Sequence, residues 1–130
     1  MRRAAYLAWL IVGVVAGGIA VAMLSPSAGA ATPSVSVPLV GVDKLLHAGV
    51  YAGLTVLVAV SVWVSGWRRS AGYASGGVSL YSTVLEGLQG AVPSRAVSVG
   101  DIGANLIGVA LGIGCWWVFR RGIAWWHRGR

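Results

Sequence analysis

The hydrophobic residues of this chain are gathered into long blocks instead of alternating with polar ones. Ala4 to Leu24 is an uncharged run of 21 residues. At a helical rise of about 1.5 Å per residue it spans the roughly 30 Å hydrocarbon core of a bilayer. Leu45 to Trp67 is a second block, preceded by Asp43 and Lys44, carrying His47 near its start, and followed by Arg68, Arg69 and Ser70. Ala71 to Gln89 is weaker: Ser75, Ser79, Ser82, Thr83 and Glu86 make it too polar to face lipid all round, which places it against other helices. Asp101 to Phe119 is the fourth block. Ser25 to Val42, rich in Ser, Ala, Pro and Val, reads as a loop, as does Gly90 to Gly100 with Pro93 and Arg95. The pattern predicts an all-α integral membrane bundle of four transmembrane helices, about 4–24, 45–67, 71–89 and 101–119, in a single domain over 1–130. The tail 122–130, with Trp125, Trp126, His127 and two arginines, is expected at the membrane interface.

Composition supports the bilayer as solvent. The chain is 57% hydrophobic and only 10% charged, with a mean hydropathy of +0.78. A net charge of +7 would suggest a nucleic-acid partner in a soluble protein. Here the cations sit in short clusters between apolar runs and no nucleic-acid motif accompanies them, so topology accounts for the charge. Arg2 and Arg3, Arg68 and Arg69, and Arg120, Arg121, Arg128 and Arg130 alternate with nearly balanced loops. The positive-inside rule then places both termini in the cytoplasm of a multi-pass plasma-membrane protein. Of the seven Trp, Trp63, Trp67, Trp116, Trp117, Trp125 and Trp126 fall at the same predicted ends, with Trp9 one to two turns in. Arg2-Arg3, the first apolar run and Ala28-Gly29-Ala30 before Ala31 also resemble a cleavable signal peptide. The run is longer than the usual apolar region of such a leader, which favours a retained helix. The lone Cys115 excludes an intrachain disulfide and reads as a small apolar residue.

Each predicted helix carries a Gly-xxx-Gly pair: Gly13/Gly17, Gly49/Gly53, Gly72/Gly76 and Gly108/Gly112. Such spacing lets backbones approach closely in lipid. It predicts a tightly packed bundle and leaves open whether the contacts lie within one chain or join a homo-oligomer.

The chain's three acids, Asp43, Glu86 and Asp101, all fall at the predicted outer helix ends. A carboxylate beside hydrocarbon is costly and tends to face a bundle interior or a wet cavity, where it marks function. Asp43, His47 and Tyr51 follow each other at i, i+4 and i+8 and share a face. Glu86 and Gln89 are spaced i, i+3, and Asp101 and Asn105 i, i+4. Ser98 and Asp101 fit a capping box, in which both side chains satisfy free N–H groups. Lys44 and Arg95 are the only cations beside the acids.

These residues resemble the VanZ-like membrane protein family: Asp43-Lys44-x-x-His47-x-x-x-Tyr51, Glu86-x-x-Gln89, Arg95 and Asp101-x-x-x-Asn105-x-x-Gly108. The resemblance covers about residues 40 to 118. It implies a membrane topology and a link to glycopeptide-resistance clusters, because the family takes its name from an accessory protein associated with reduced sensitivity to teicoplanin. Ala48-Gly49 is smaller than the bulky apolar residues common at that place in the family, which predicts looser local packing.

Three functions fit the cluster. In a binding site, Lys44 and Arg95 hold an anionic headgroup, phosphate or carboxylate, while Asp43, Glu86, Gln89 and Asn105 orient them. Tyr51, Ser98, His47 and Asp101 complete the set. A lipid-linked envelope precursor or a membrane-anchored glycopeptide suits the depth. In a catalytic site, a hydrolase or transferase acting on lipid headgroups, His47, Glu86 and Asp101 exchange protons, although no nucleophile is singled out. In a structural lock, Asp101 pairs with Arg95 and Glu86 with Lys44. Asp43, His47, Glu86 and Asp101 offer donors for a divalent metal, but one His and three scattered carboxylates lack the spacing of a metal motif, so neither a metal nor a cofactor is expected.

Overall fold

The computed structural model describes residues 2–25, 41–92 and 98–129. It is all-helical: α1 (Arg2–Leu24), α2 (Val42–Val64), α3 (Ser70–Gln89) and α4 (Val99–Arg128), with no strand among the described residues. Three of them, α1, α2 and α4, are long and apolar enough to cross a membrane. The polar α3 falls outside that group, as its serines require.

The boundaries follow local chemistry. α2 starts three residues before the expected block because Gly41, at φ −58° and ψ 142°, is non-helical and caps it, and Asp43 lies in the first turn, where the helix dipole favours negative charge. It ends before Trp67 because Gly66 turns the chain at φ +89°, a conformation L side chains rarely adopt. α4 begins at the cap Ser98 and runs 30 residues without a break at Arg120-Arg121. The expected separate tail is therefore the last turns of α4, a helix that at about 1.5 Å per residue exceeds the hydrocarbon thickness.

Cross-helix bonds set an up-down-up-down order. Trp9 Nε1 donates to Ser65 Oγ (3.1 Å), joining the start of α1 to the end of α2. Tyr81 donates its hydroxyl hydrogen to the Ala16 carbonyl, and Gln89 Nε2 donates to Met23 O (3.2 Å), so α1 and α3 run parallel. α2 and α4 also run parallel and form the most extensive contact.

That contact depends on small residues. A Cβ on Gly112 would lie 2.6 Å from Ala52 O, and one on Gly108 would meet Ala48 O. The predicted tight packing is thus realised within one chain at Gly108/Gly112. Its counterparts on α2 are Ala48 and Ala52, whereas Gly49 and Gly53 face open space, as do Gly13, Gly17, Gly72 and Gly76. The expectation that Ala48 loosens packing is reversed, because its small side chain admits α4.

The distribution of side chains is inverted relative to a water-soluble bundle. Thr55, Ser61, Ser70, Ser82, Ala59 and Ala74 are buried, while Leu7, Leu10, Val14, Leu80 and Leu111 are exposed. Thr55 Oγ1 bonds Tyr51 O (2.7 Å) and Ser61 Oγ bonds Leu57 O (2.8 Å), so these hydroxyls are satisfied within their own helix. Tyr51, Leu54, Val78 and Val109 form one apolar core. Ala59, Ala74 and Trp116 form a second. Trp63 and Phe119 pack on Trp116, with ring centroids 5.8 and 5.9 Å away, at the end of the bundle remote from the acids.

Candidate functional site

The polar cluster is assembled where α2 and α4 begin and α3 ends. Lys44, in the first turn of α2, reaches Asp101 in the first turn of α4, with Nζ 3.0 Å from Oδ1. The Lys44 chain passes over Gly100, where an added Cβ would lie 2.9 Å from its Cε and Nζ. One turn deeper, His47 Nδ1 meets Asn105 Oδ1 at 2.9 Å. Because an amide oxygen only accepts, Nδ1 carries the proton in this contact. His47 Nε2 stands 3.9 Å from Asp43 Oδ1, too far for a hydrogen bond.

Exposure is graded. The side chains of Asp43 and Lys44 are 49% and 41% exposed, that of Asp101 is 15%, and that of His47 is 6%. The cluster therefore opens at the helix ends and closes inward on Asn105, itself buried. Tyr51 lies below His47, with ring centroids 6.5 Å apart, and belongs to the apolar core more than to the mouth.

Glu86 is buried on α3, and its Oε1 accepts the backbone N–H of Ser98 at 2.9 Å. This changes the expected capping box. Ser98 Oγ does accept from Asp101 N (3.3 Å). The return bond to Ser98 N comes from Glu86, because the Asp101 carboxylate is taken by Lys44. The expected pairing of Glu86 with Lys44 is likewise replaced by Lys44–Asp101. Arg95, and with it the expected Asp101–Arg95 pair, lies outside the described residues.

Gln89 shares a face with Glu86 and is buried, yet its amide turns to the Met23 carbonyl and, at 3.5 Å, to the Met23 sulfur. It ties α1 to α3. Two hydroxyls of α3 bond their own backbone: Ser82 Oγ and Thr83 Oγ1 donate to Ser79 O at 3.0 and 2.9 Å.

The fold thus brings together Asp43, Lys44, His47, Asp101 and Asn105, with Glu86 and Ser98 joining the adjoining ends of α3 and α4. One ligating atom each from Asp43, His47 and Asp101 lie within 4.8 Å of one another. All three stand in the four-residue set that the sequence offers as metal donors, and the structure narrows it by committing Glu86 to Ser98 N, while the meeting of Asp101 with the α2 pair depends on another helix. The signals in the sequence were the i, i+4 pairs Asp43/His47 and Asp101/Asn105 at the starts of two helices.

No protein-family model matches the chain, and no curated protein or solved structure matches it.

Proposed function

We propose that this chain is a VanZ-like, four-span integral protein of the plasma membrane that binds the anionic headgroup of an envelope lipid, or a glycopeptide-type ligand with the same charge, at the outer leaflet. The observation that carries this reading is the Lys44 ammonium, held by Asp101 at the open end of the bundle and still substantially exposed. A phosphate or carboxylate arriving from the headgroup region can take up its remaining donors. Support for the depth comes from the inverted packing and from α3, whose 20 residues match the bilayer and whose Ser75, Ser82 and Thr83 hydroxyls bond their own helix. Both termini are then cytoplasmic, beside the arginine clusters. A part in teicoplanin-type resistance belongs to the same proposal.

A second reading is favoured by the Glu86–Ser98 and Gln89–Met23 bonds, which act as locks between helix ends. The deciding experiment uses purified protein kept in EDTA. Phosphatidylglycerol should raise its melting temperature more than phosphatidylcholine does, and Lys44→Met should remove the difference. Equal stabilisation by both lipids, or an undiminished preference in Lys44→Met, rejects the binding reading and leaves the lock.

A further inference from the structure

We infer that Asp43, His47 and Asp101 form a site for a divalent transition-metal ion of the zinc or manganese type. The inference is independent of headgroup binding. The donors come from two helices and lie within 4.8 Å of one another. Donors sharing one ion at about 2.0–2.2 Å stand roughly 3–4.4 Å apart, so small side-chain rotations bring the three into coordination.

The second observation is the state of His47. It is 5% exposed, and its Nδ1–H is committed to Asn105 Oδ1 at 2.9 Å. That bond fixes the tautomer and leaves the Nε2 lone pair facing the carboxylates, with Asp43 Oδ1 3.9 Å away. A ligating histidine characteristically donates its other ring N–H to a carbonyl or carboxylate in this way. Asn105 is accordingly a positioning residue.

Charge and access agree. Asp43 and Asp101 carry two negative charges against the single positive charge of Lys44, so a cation improves the balance. Asp101 has two oxygens and several lone pairs, enough to keep Lys44 and bind an ion. One imidazole with two carboxylates is a borderline donor set suited to Zn²⁺ or Mn²⁺ and less suited to Mg²⁺. The exposed Asp43 side chain opens the path from water, and positions left by the three residues remain for water or a ligand oxygen.

The test is titration of metal-stripped, lipid-depleted protein with Zn²⁺ by calorimetry. One ion per chain is expected. His47→Gln and Asp43→Asn should each weaken binding at least about ten-fold, and Asn105→Ala by about 10–100-fold. Lys44→Met should preserve or tighten it, the opposite of its effect on headgroup binding, so the two readings fail separately. His127→Ala should leave binding unchanged. A readout independent of variant folding is the wild-type protein with diethylpyrocarbonate, where Zn²⁺ should slow modification of His47 and not of His127. The absence of a stoichiometric site, binding lost only in His127→Ala, or modification of His47 at the same rate with and without Zn²⁺ overturns the inference.

Discussion

Glu86 on α3 accepts the backbone N–H of Ser98, the residue that caps α4, at 2.9 Å. An acid from one helix thereby completes the start of another. The free N–H groups of a helix end are costly where water is scarce, and a buried carboxylate is costly without a donor. The two needs cancel. This bond also releases Asp101 from its expected capping role, so that its carboxylate can serve Lys44 and face His47.

Glu86→Ala should therefore destabilise the bundle by about 1.5–3 kcal/mol, the range for a hydrogen bond with a charged partner. Glu86→Gln retains an accepting oxygen and should cost less than about 1 kcal/mol. Thermal denaturation in detergent of the two variants checks the ordering. A large loss in both would place the requirement on the charge of Glu86 instead of on the bond to Ser98.

The two glycine pairs on α2 and α4 should respond differently. Gly112→Leu forces a side chain into Ala52 and should cost at least about 1–3 kcal/mol, with Lys44 drawn away from Asp101. Gly53→Ala meets no atom within 4 Å and should be tolerated or mildly stabilising, since alanine favours a helix. Melting temperatures report the effect. Equal responses of the two positions would contradict the α2–α4 crossing.

Orientation is testable at exposed positions on the two ends of the bundle. In a Cys115→Ala background, a cysteine at Ala91 should react with an impermeant thiol reagent applied to intact cells. One at Arg68 should react only after the membrane is opened. The reverse pattern would invert the proposed topology and move the polar cluster to the cytoplasmic face.

Much of the architecture was legible in the sequence, because the apolar blocks that a bilayer demands are local features. The arginine clusters and the Ser98 cap follow from neighbouring residues, and four helices lie on those blocks, although α2 stops before Gly66 instead of at Trp67 and α4 runs on to Arg128 through the expected tail. The faces of α2 and α4 were also legible, since a 3.6-residue repeat aligns Asp43 with His47 and Asp101 with Asn105. Their pairing was not. Which acid meets Lys44 depends on how far α4 slides along α2, and that is set where Gly108 and Gly112 rest on Ala48 and Ala52.

The sequence by itself determined the all-helical class, the apolar exterior and the gathering of polar residues at one end, because each is dictated by periodicity or local composition. The tertiary structure alone decided that Lys44 takes Asp101, that Glu86 takes the Ser98 N–H, and that Asp43, His47 and Asp101 converge. Each brings together residues of different helices or helix ends that lie far apart in the sequence. Their geometry follows from the close parallel approach of α2 and α4, which no single helix encodes.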